Sequence, residues 1–190
     1  MKKEYQFQQN LWDPSDFLYA ASARFNYREN FIQEPNCIVN RYDDVRSDYS
    51  YISMVMKDRL PDGASVSTTC SFENYGAPLI VLCEKLHTLP NGMLQYGTHF
   101  EVVPFEDGLN VWYLTLENNQ VKPVALARYR FPLRGNDKLS LRVTLSSQQM
   151  DIYLQQFHFT LHSDKFPTEY YAGITACEGI NRFYDFSVEY

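Results

Sequence analysis

The chain has 190 residues, a net charge of -6 and 16% aromatic residues, with fifteen Tyr and thirteen Phe. This length suits one domain over residues 1–190, with a core large enough to need neither disulfides nor a structural metal. The acidic balance and the scattered Lys and Arg exclude the usual nucleic-acid-binding and anionic-membrane classes of protein.

The N-terminal residues, MKKEYQFQQN, carry no apolar segment of the signal-peptide type, and no stretch of about 20 apolar residues follows. We therefore expect a cytoplasmic protein that does not span a membrane. The cysteines form no CxxC pair, and an even count permits two disulfides with three connectivities. We expect reduced, mostly buried thiols instead. They are Cys37, Cys70, Cys83 and Cys177.

In chain order, the first predicted element is a single helical turn at Asp13-Pro14-Ser15-Asp16. Residues 17–31 and 47–57 each predict a strand, the first with an aromatic-rich face. The polar stretch 26–50 is expected to contain a loop, and loops on rigid sandwiches often carry binding residues.

The middle of the chain is divided by turn residues into hairpins. Asn91-Gly92 separates PLIVLCEKLH from MLQYGTHFEVV, and Asp107-Gly108 separates FEVVPF from LNVWYLTL. Asn118-Asn119 ends that strand, and Gly135-Asn136 precedes the next one. Such pairs supply the positive φ angles that tight hairpin turns require, so the segment predicts a run of antiparallel strands.

The C-terminal third alternates strictly between apolar and polar residues, which is the pattern of a strand with one buried face. The alternation covers residues 139–145, 150–154 and 157–161. Helical patterning is poor, and strands recur at spacings of about 8–12 residues. We therefore predict an all-β fold, a two-sheet antiparallel jelly-roll sandwich.

The end of the chain, Y-x-G-I-x-A-C-E-G-x-N-x-F-Y-D-F-x-V, resembles the last strands of concanavalin A-like lectin and glucanase domains of the laminin-G-like branch. About 50 residues carry this resemblance, and it concerns the fold. It implies a carbohydrate-binding module, a glycanase or an accessory domain of a glycoside hydrolase, although fold does not fix function. The matching residues are Gly173, Ile174, Phe183, Asp185, Phe186 and Val188.

Glycanases with this fold place carboxylates at alternate positions of one strand, E-x-D-x-E or E-x-D-x-x-E, and this chain lacks that pattern. Asp185 and Glu189 would lie about 13 Å apart on a strand, too far for either hydrolytic mechanism. Carboxylates from separate strands, such as Glu101 with Glu84, remain an alternative.

We predict no metal site and no cofactor. His158 and His162 lie four residues apart, and on the predicted strand this separation is about 13 Å, which prevents them from sharing one zinc ion. A calcium ion held by backbone carbonyls would leave no trace in the sequence.

A sugar-binding surface needs an aromatic platform for the apolar face of the ring, with amides and carboxylates for its hydroxyls. The hairpin around Asp107-Gly108 offers such residues, because cross-strand neighbours lie about 5 Å apart. The loop ENYGAP is expected to reach the same rim. The predicted ligand-binding residues are His99, Glu101, Asn110, Trp112, Tyr75 and Asn74.

Three of these residues have a structural alternative. Trp112 is also compatible with the core, and His99 and Glu101 with a bond to each other. Glu178 and Asn181 belong to the loop ACEGIN, which we interpret as a turn. The functional alternative is that this loop borders the same cleft. Cys177 has no visible base beside it.

The sequence therefore favours a non-catalytic domain that binds carbohydrate or assists its processing. One alternative is a glycoside hydrolase whose carboxylates come from separate strands. Another is a protein-interaction or dimerisation module that uses an aromatic sheet face; an extended apolar patch on that face would indicate this case. The sequence does not predict the oligomeric state.

Overall fold

The computed structural model describes residues 1–24, 30–40, 51–117 and 120–190. Apart from one short 3-10 helix at Pro14–Asp16, its regular elements are strands. They are β1 (Lys2–Gln6), β2 (Phe17–Ala21), β3 (Ile32–Glu34), β4 (Cys37–Val39), β5 (Tyr51–Met56), β6 (Leu60–Pro61), β7 (Ser65–Glu73), β8 (Ala77–Cys83), β9 (Leu86–Thr88), β10 (Leu94–Tyr96), β11 (His99–Phe105), β12 (Gly108–Glu117), β13 (Gln120–Arg130), β14 (Leu139–Leu145), β15 (Gln149–Leu154), β16 (Phe157–His162), β17 (Glu169–Cys177), β18 (Ile180–Phe183) and β19 (Asp185–Glu189).

The strands form two sheets that pack on each other, as predicted. The first sheet has nine strands in the order β16-β15-β14-β7-β18-β4-β3, with β19 joined to β7 and to β1. The second has ten, in the order β13-β12-β11-β8-β17-β5-β2-β10-β9, with β6 beside β17. The pair β2–β10 is parallel, which the prediction of a wholly antiparallel sandwich missed.

The main core lies between the sheets and follows from the alternation of the sequence. On β14, Leu141 and Val143 are fully buried while the intervening Arg142 is exposed. From the second sheet, Phe100 and Val102 of β11 pack into the same cluster. Burial of such side chains is the main favourable contribution to folding, at roughly 25 cal/mol per Å² of apolar surface.

The closing pattern of the sequence has a structural role here. A Cβ atom at Gly173 would lie 1.9 Å from the Met54 carbonyl oxygen, so β17 and β5 approach closely only because this residue is glycine. Phe183 and Phe186 are fully buried in the main core. The Asp185 carboxylate accepts a hydrogen bond from the Thr69 backbone N–H at 2.7 Å.

Several boundaries differ from the sequence prediction. The helical turn is confirmed, and the Asp13 side chain accepts from the Ser15 N–H at 2.8 Å as its cap. The strand predicted over 17–31 ends at Ala21, and the described part of 47–57 is β5. PLIVLCEKLH is split into β8 and β9, because the chain turns after Cys83 and forms a separate short hairpin. The turn at Asn118-Asn119 lies outside the described residues.

The thiols are free, as predicted, and three of the four are buried, Cys177 being partly exposed. Burial raises the pKa of Cys70 from its ordinary 9.0 to about 12. No helix within the described ranges is long and apolar enough to cross a membrane.

A second apolar cluster covers the outer face of the second sheet, away from the main core. It contains Leu79 and Val81 of β8, Val103 of β11, and the buried rings of Tyr51 and Tyr96. A sheet face of this kind is often open to solvent in antiparallel sandwiches. Here much of it is covered, and this limits where a ligand can reach the sheet.

Candidate functional site: a pocket beside Trp112

The β11–β12 hairpin places the central residues of the site. Its register pairs Glu101 with Trp112 and Val103 with Asn110, so these side chains share the outer face of the second sheet. The turn at Asp107-Gly108 fixes this register. Gly108 has φ +138, and a Cβ there would lie 2.0 Å from the Tyr129 carbonyl oxygen, so the position requires glycine.

A pocket of about 320 Å³ opens on this face, and we call it the Trp112 pocket. This volume lies at the lower end of the usual range for small-molecule sites, roughly 300–1,000 Å³. Its floor is apolar, from Leu79 and Val103. Polar or aromatic groups line the remaining walls: Arg24, Tyr75, Glu101, Asn110, Trp112 and Glu178.

Trp112 is partly exposed rather than sealed in the core. The Arg128 guanidinium lies 5.3 Å from the centre of its ring, a distance that allows a cation–π contact. Beside it, the Asn110 Oδ1 atom is buried and has no hydrogen-bond partner among the described residues. A buried acceptor without a donor costs free energy, so this oxygen is suited to receive a donor from a bound molecule.

Tyr75 stands at the rim and is 77% exposed. It belongs to the β7–β8 turn, in which Asn74 has φ +52, Tyr75 has φ +63 and the Gly76 N–H donates to the Glu73 carbonyl at 3.0 Å. Positive φ angles at both central residues define the turn type that matches strand twist, but a bulky residue adopts them at a cost. An exposed tyrosine held in this conformation over a pocket is a candidate binding residue.

Glu101 is 3% exposed, and its carboxylate forms part of the pocket wall. The Tyr51 hydroxyl donates to Glu101 Oε1 at 2.7 Å. Burial, and then the nearby charge of Glu101, raise the pKa of Tyr51 well above its ordinary value, so this phenol remains a proton donor. The contact fixes the position of the carboxylate.

His99 is 1% exposed and does not line the pocket. Its Nδ1 lies 2.7 Å from the Gly97 carbonyl oxygen, and because a carbonyl only accepts, Nδ1 carries a proton. Its Nε2 lies 3.5 Å from Glu101 Oε1. His99 and Glu101 are therefore close, but Nε2 has no hydrogen-bond partner among the described residues, so the predicted bond between them is not formed. Direct contact of His99 with a ligand is not supported.

Asn74 is also separated from the pocket. Although it adjoins Tyr75, its side chain lines a different depression, together with Arg134 and Asp137. Of the six predicted residues, the structure therefore brings four to one pocket: Tyr75, Glu101, Asn110 and Trp112.

The predicted carboxylate pair does not form. Glu84 follows the end of β8. Burial, and then the charge of Glu84, raise the pKa of Tyr113. The ring of Tyr113 packs on Phe100 at the core side of the sheet. Glu101 faces the other side. Among the described residues, the carboxylates that share the pocket with Glu101 are Glu106 and Glu178, both from turns.

The sequence analysis did not predict some residues of the site and gave others only as an alternative. Arg24 lies just after β2 and lines the pocket. Tyr51 is the first residue of β5 and supports Glu101. Glu178 does border the pocket, as its second interpretation proposed, whereas Asn181 is fully buried and donates to the Glu178 carbonyl at 2.6 Å. Asn181 therefore shapes the loop.

Metal ligands do not cluster in the part of the chain that is described, where no group of three His, Cys, Asp or Glu residues is positioned to hold an ion. His158 lies 3.2 Å from the Asp151 carboxylate and stacks on Tyr153. Its surroundings are those of an exposed polar surface on the first sheet.

Comparison with solved structures defines the class of fold. A carbohydrate-binding module from Bacillus subtilis is similar at a TM-score of 0.58 and 14% identity, covering 80% of this chain and 86% of that chain. An immunostimulatory antigen and pseudo β-1,3-glucanase of Mycobacterium tuberculosis matches at 0.61 and 12%, covering 98% and 97%. A β-1,3-1,4-glucanase from a mouse hindgut metagenome matches at 0.62 and 8%, covering 100% and 99%.

The fold is therefore the concanavalin A-like jelly roll, and the resemblance drawn from the closing residues is confirmed at the level of the fold. No protein-family model matches the sequence, and no curated protein sequence matches it. Because the identities are so low, the likeness shows the fold, and the function has to be argued from the pocket.

Proposed function

We propose that this protein binds carbohydrate in the Trp112 pocket, without cleaving it. The observation that carries the proposal is the direct pairing of Glu101 with Trp112 in a pocket of about 320 Å³. A sugar ring has an apolar face and a rim of hydroxyl groups, and this pocket offers an aromatic surface beside two oxygen acceptors, Glu101 and Asn110.

The charge of the lining favours an uncharged sugar. Three glutamates and one arginine line the pocket within the described ranges: Glu101, Glu106, Glu178 and Arg24. An acidic sugar would bring a further negative charge to a wall that holds the buried Glu101 carboxylate, and burial strengthens such repulsion.

Carbohydrate-binding modules and glucanases are among the proteins with this fold, which supports a carbohydrate ligand. Hydrolysis is the second candidate, and Glu101 is the residue that favours it. Both glycosidic mechanisms need a second carboxyl group at a defined distance. The pocket supplies only Glu106 and Glu178 from its described residues, and both lie in turns, which hold catalytic groups less precisely than strands.

The proposal is tested by screening a glycan array and measuring the affinity for each hit by calorimetry. Trp112→Ala removes the aromatic wall and should weaken binding about 30-fold, the effect of losing a binding hot spot. The matched control is Tyr153→Ala, because Tyr153 is an exposed aromatic residue on the first sheet. Equal affinities for both variants, or no glycan bound at all, would exclude this pocket as a carbohydrate site. Release of reducing ends that Glu101→Gln abolishes would identify the hydrolase instead.

A further inference from the structure

Two tyrosine side chains cross the outer face of the second sheet. Tyr51 starts on β5, yet its hydroxyl reaches Glu101 on β11, although β17 and β8 lie between these strands. Tyr96 of β10 bonds through its hydroxyl to Ser53 on β5, while its ring centre lies 5.1 Å from that of His99 on β11. Both rings are almost completely buried, and they pack on Leu79 and Val81 beneath them.

These rings divide the face into two separate cavities. The Trp112 pocket lies toward β11 and β12, and a second cavity of about 370 Å³ is lined by residues of β2, β5 and β10. Tyr51 lines the second cavity and Glu101 lines the first, so their hydrogen bond is part of the wall between them. A long glycan running across the strands would meet this wall directly beyond Glu101.

Two packed turns close the pocket at the end of the strands. One is the turn at Asn74 and Tyr75, and the other is the turn at Glu178 and Gly179. A Cβ at Gly179 would lie 2.3 Å from both the Asn74 carbonyl oxygen and the Gly76 nitrogen, so the two backbones are in direct contact. A chain extending along the strands in this direction would meet these turns.

We propose that the Trp112 pocket recognises the end of a glycan chain and not an internal stretch of it; this rests on the function proposed above. An internal sugar is linked at two positions and needs two exits from the pocket. The tyrosines obstruct the direction across the strands, and the turns obstruct one direction along them. A terminal ring also carries a free hydroxyl where an internal ring has a glycosidic oxygen, which cannot donate. Asn110 lines the pocket, and its Oδ1 is buried with no donor among the described residues, so we assign it as the acceptor for that hydroxyl.

The test uses an array of uncharged oligosaccharides of two to six units. Each oligosaccharide is printed in two forms, one with a free non-reducing end and one in which that end is O-methylated. Recognition of chain ends predicts affinities that hardly change with length. It also predicts that methylation weakens binding about tenfold or more, through loss of a donor to a buried acceptor.

The readouts separate this inference from the proposed function. Binding that rises steadily with length, survives methylation and is lost in Trp112→Ala would overturn the chain-end proposal and leave carbohydrate binding intact. The absence of any binding that depends on Trp112 would overturn both proposals. Asn110→Asp is a further check, since it keeps an acceptor and should preserve the preference for free ends, whereas Asn110→Leu should abolish that preference.

Discussion

Glu101 and Trp112 are opposite partners in the β11–β12 ladder, and their side chains meet in the wall of one pocket. The alternation of a strand means that a slip of one residue between β11 and β12 would turn one of these two side chains into the main core. The glycine of the turn, which tolerates no Cβ, prevents this slip. The site therefore depends on the same turn chemistry that forms the hairpin.

The hydroxyl of Tyr51 should contribute to stability through Glu101. Tyr51→Phe keeps the ring but removes the donor at 2.7 Å, which leaves a buried carboxylate oxygen with fewer partners. We expect the free energy of unfolding to fall by about 1–3 kcal/mol in urea denaturation. Tyr153→Phe is the control, because Tyr153 is exposed, and it should change stability by less than about 0.5 kcal/mol. Equal effects of the two substitutions would show that the Tyr51 contact is not formed.

Tyr75 should lower the stability of the protein while strengthening glycan binding. Its φ of +63 is unfavourable for a bulky residue, and glycine adopts it freely. Tyr75→Gly should raise the free energy of unfolding by about 0.5–1 kcal/mol while weakening glycan binding. Tyr75→Ala removes the ring but keeps most of the backbone strain, so it should weaken binding without this gain. If alanine and glycine stabilise the protein equally, backbone strain is not the cause.

Gly173 should be intolerant of substitution. A Cβ at this position would lie 1.9 Å from the Met54 carbonyl oxygen, so Gly173→Ala forces β17 away from β5. We expect a loss of about 3 kcal/mol or more in thermal or urea unfolding. Gly92 has φ +81 but open space around it, and Gly92→Ala should cost only about 1 kcal/mol, from the backbone alone. Similar losses at both positions would contradict the close approach of the two strands.

Cys70 should make the fold sensitive to alkaline pH. Burial raises the pKa of Cys70 to about 12 in the folded protein, against 9.0 for an ordinary thiol. The thiol therefore contributes fully below pH 9, and its contribution is lost as the pH rises from 9 toward 12, because only the unfolded chain ionises there. The loss at pH 10 is about 1 kcal/mol.

The measurement is the free energy of unfolding at pH 8, 9 and 10 for the wild type and for Cys70→Ala. The cavity left by alanine lowers stability at every pH, so the informative quantity is the slope. It should be shallower in the variant by about 1 kcal/mol between pH 8 and pH 10. Parallel slopes would mean that the thiol is not shielded from solvent.

The sequence predicted most of the fold because its signals are local. Alternation over residues 139–161 and the turn at Asp107-Gly108 depend only on neighbours in the chain, and the structure has strands and a hairpin at these places. The same hairpin logic brought Glu101 and Trp112 to one face of the sheet, as the structure has them. The parallel contact of β2 with β10 was missed, since it joins segments more than 70 residues apart and no local pattern encodes it.

The predicted site was incomplete because contacts between distant segments are not encoded in a local pattern. Alternation places His99 on the correct face, but the β9–β10 hairpin brings Tyr96 over it, and the ring of His99 becomes buried. Asn74 and Tyr75 are adjacent in a turn, where no simple alternation applies, and Tyr75 lines the Trp112 pocket whereas Asn74 lines only the neighbouring depression. Arg24 and Glu178 reach the pocket, and Tyr51 supports Glu101, from three other parts of the chain, which the pairing of one hairpin cannot predict.

The central claim, that the pocket beside Trp112 holds a sugar, is tested most directly by the indole N–H signals in NMR spectra. The chain has two tryptophans, and Trp12 is a reference within the same molecule because its indole N–H donates to Gln33 at 2.8 Å outside the pocket. On titration with the strongest glycan from the array, the Trp112 signal should shift in a saturable way while the Trp12 signal stays fixed. A saturable shift elsewhere in the protein with Trp112 unchanged would contradict the account.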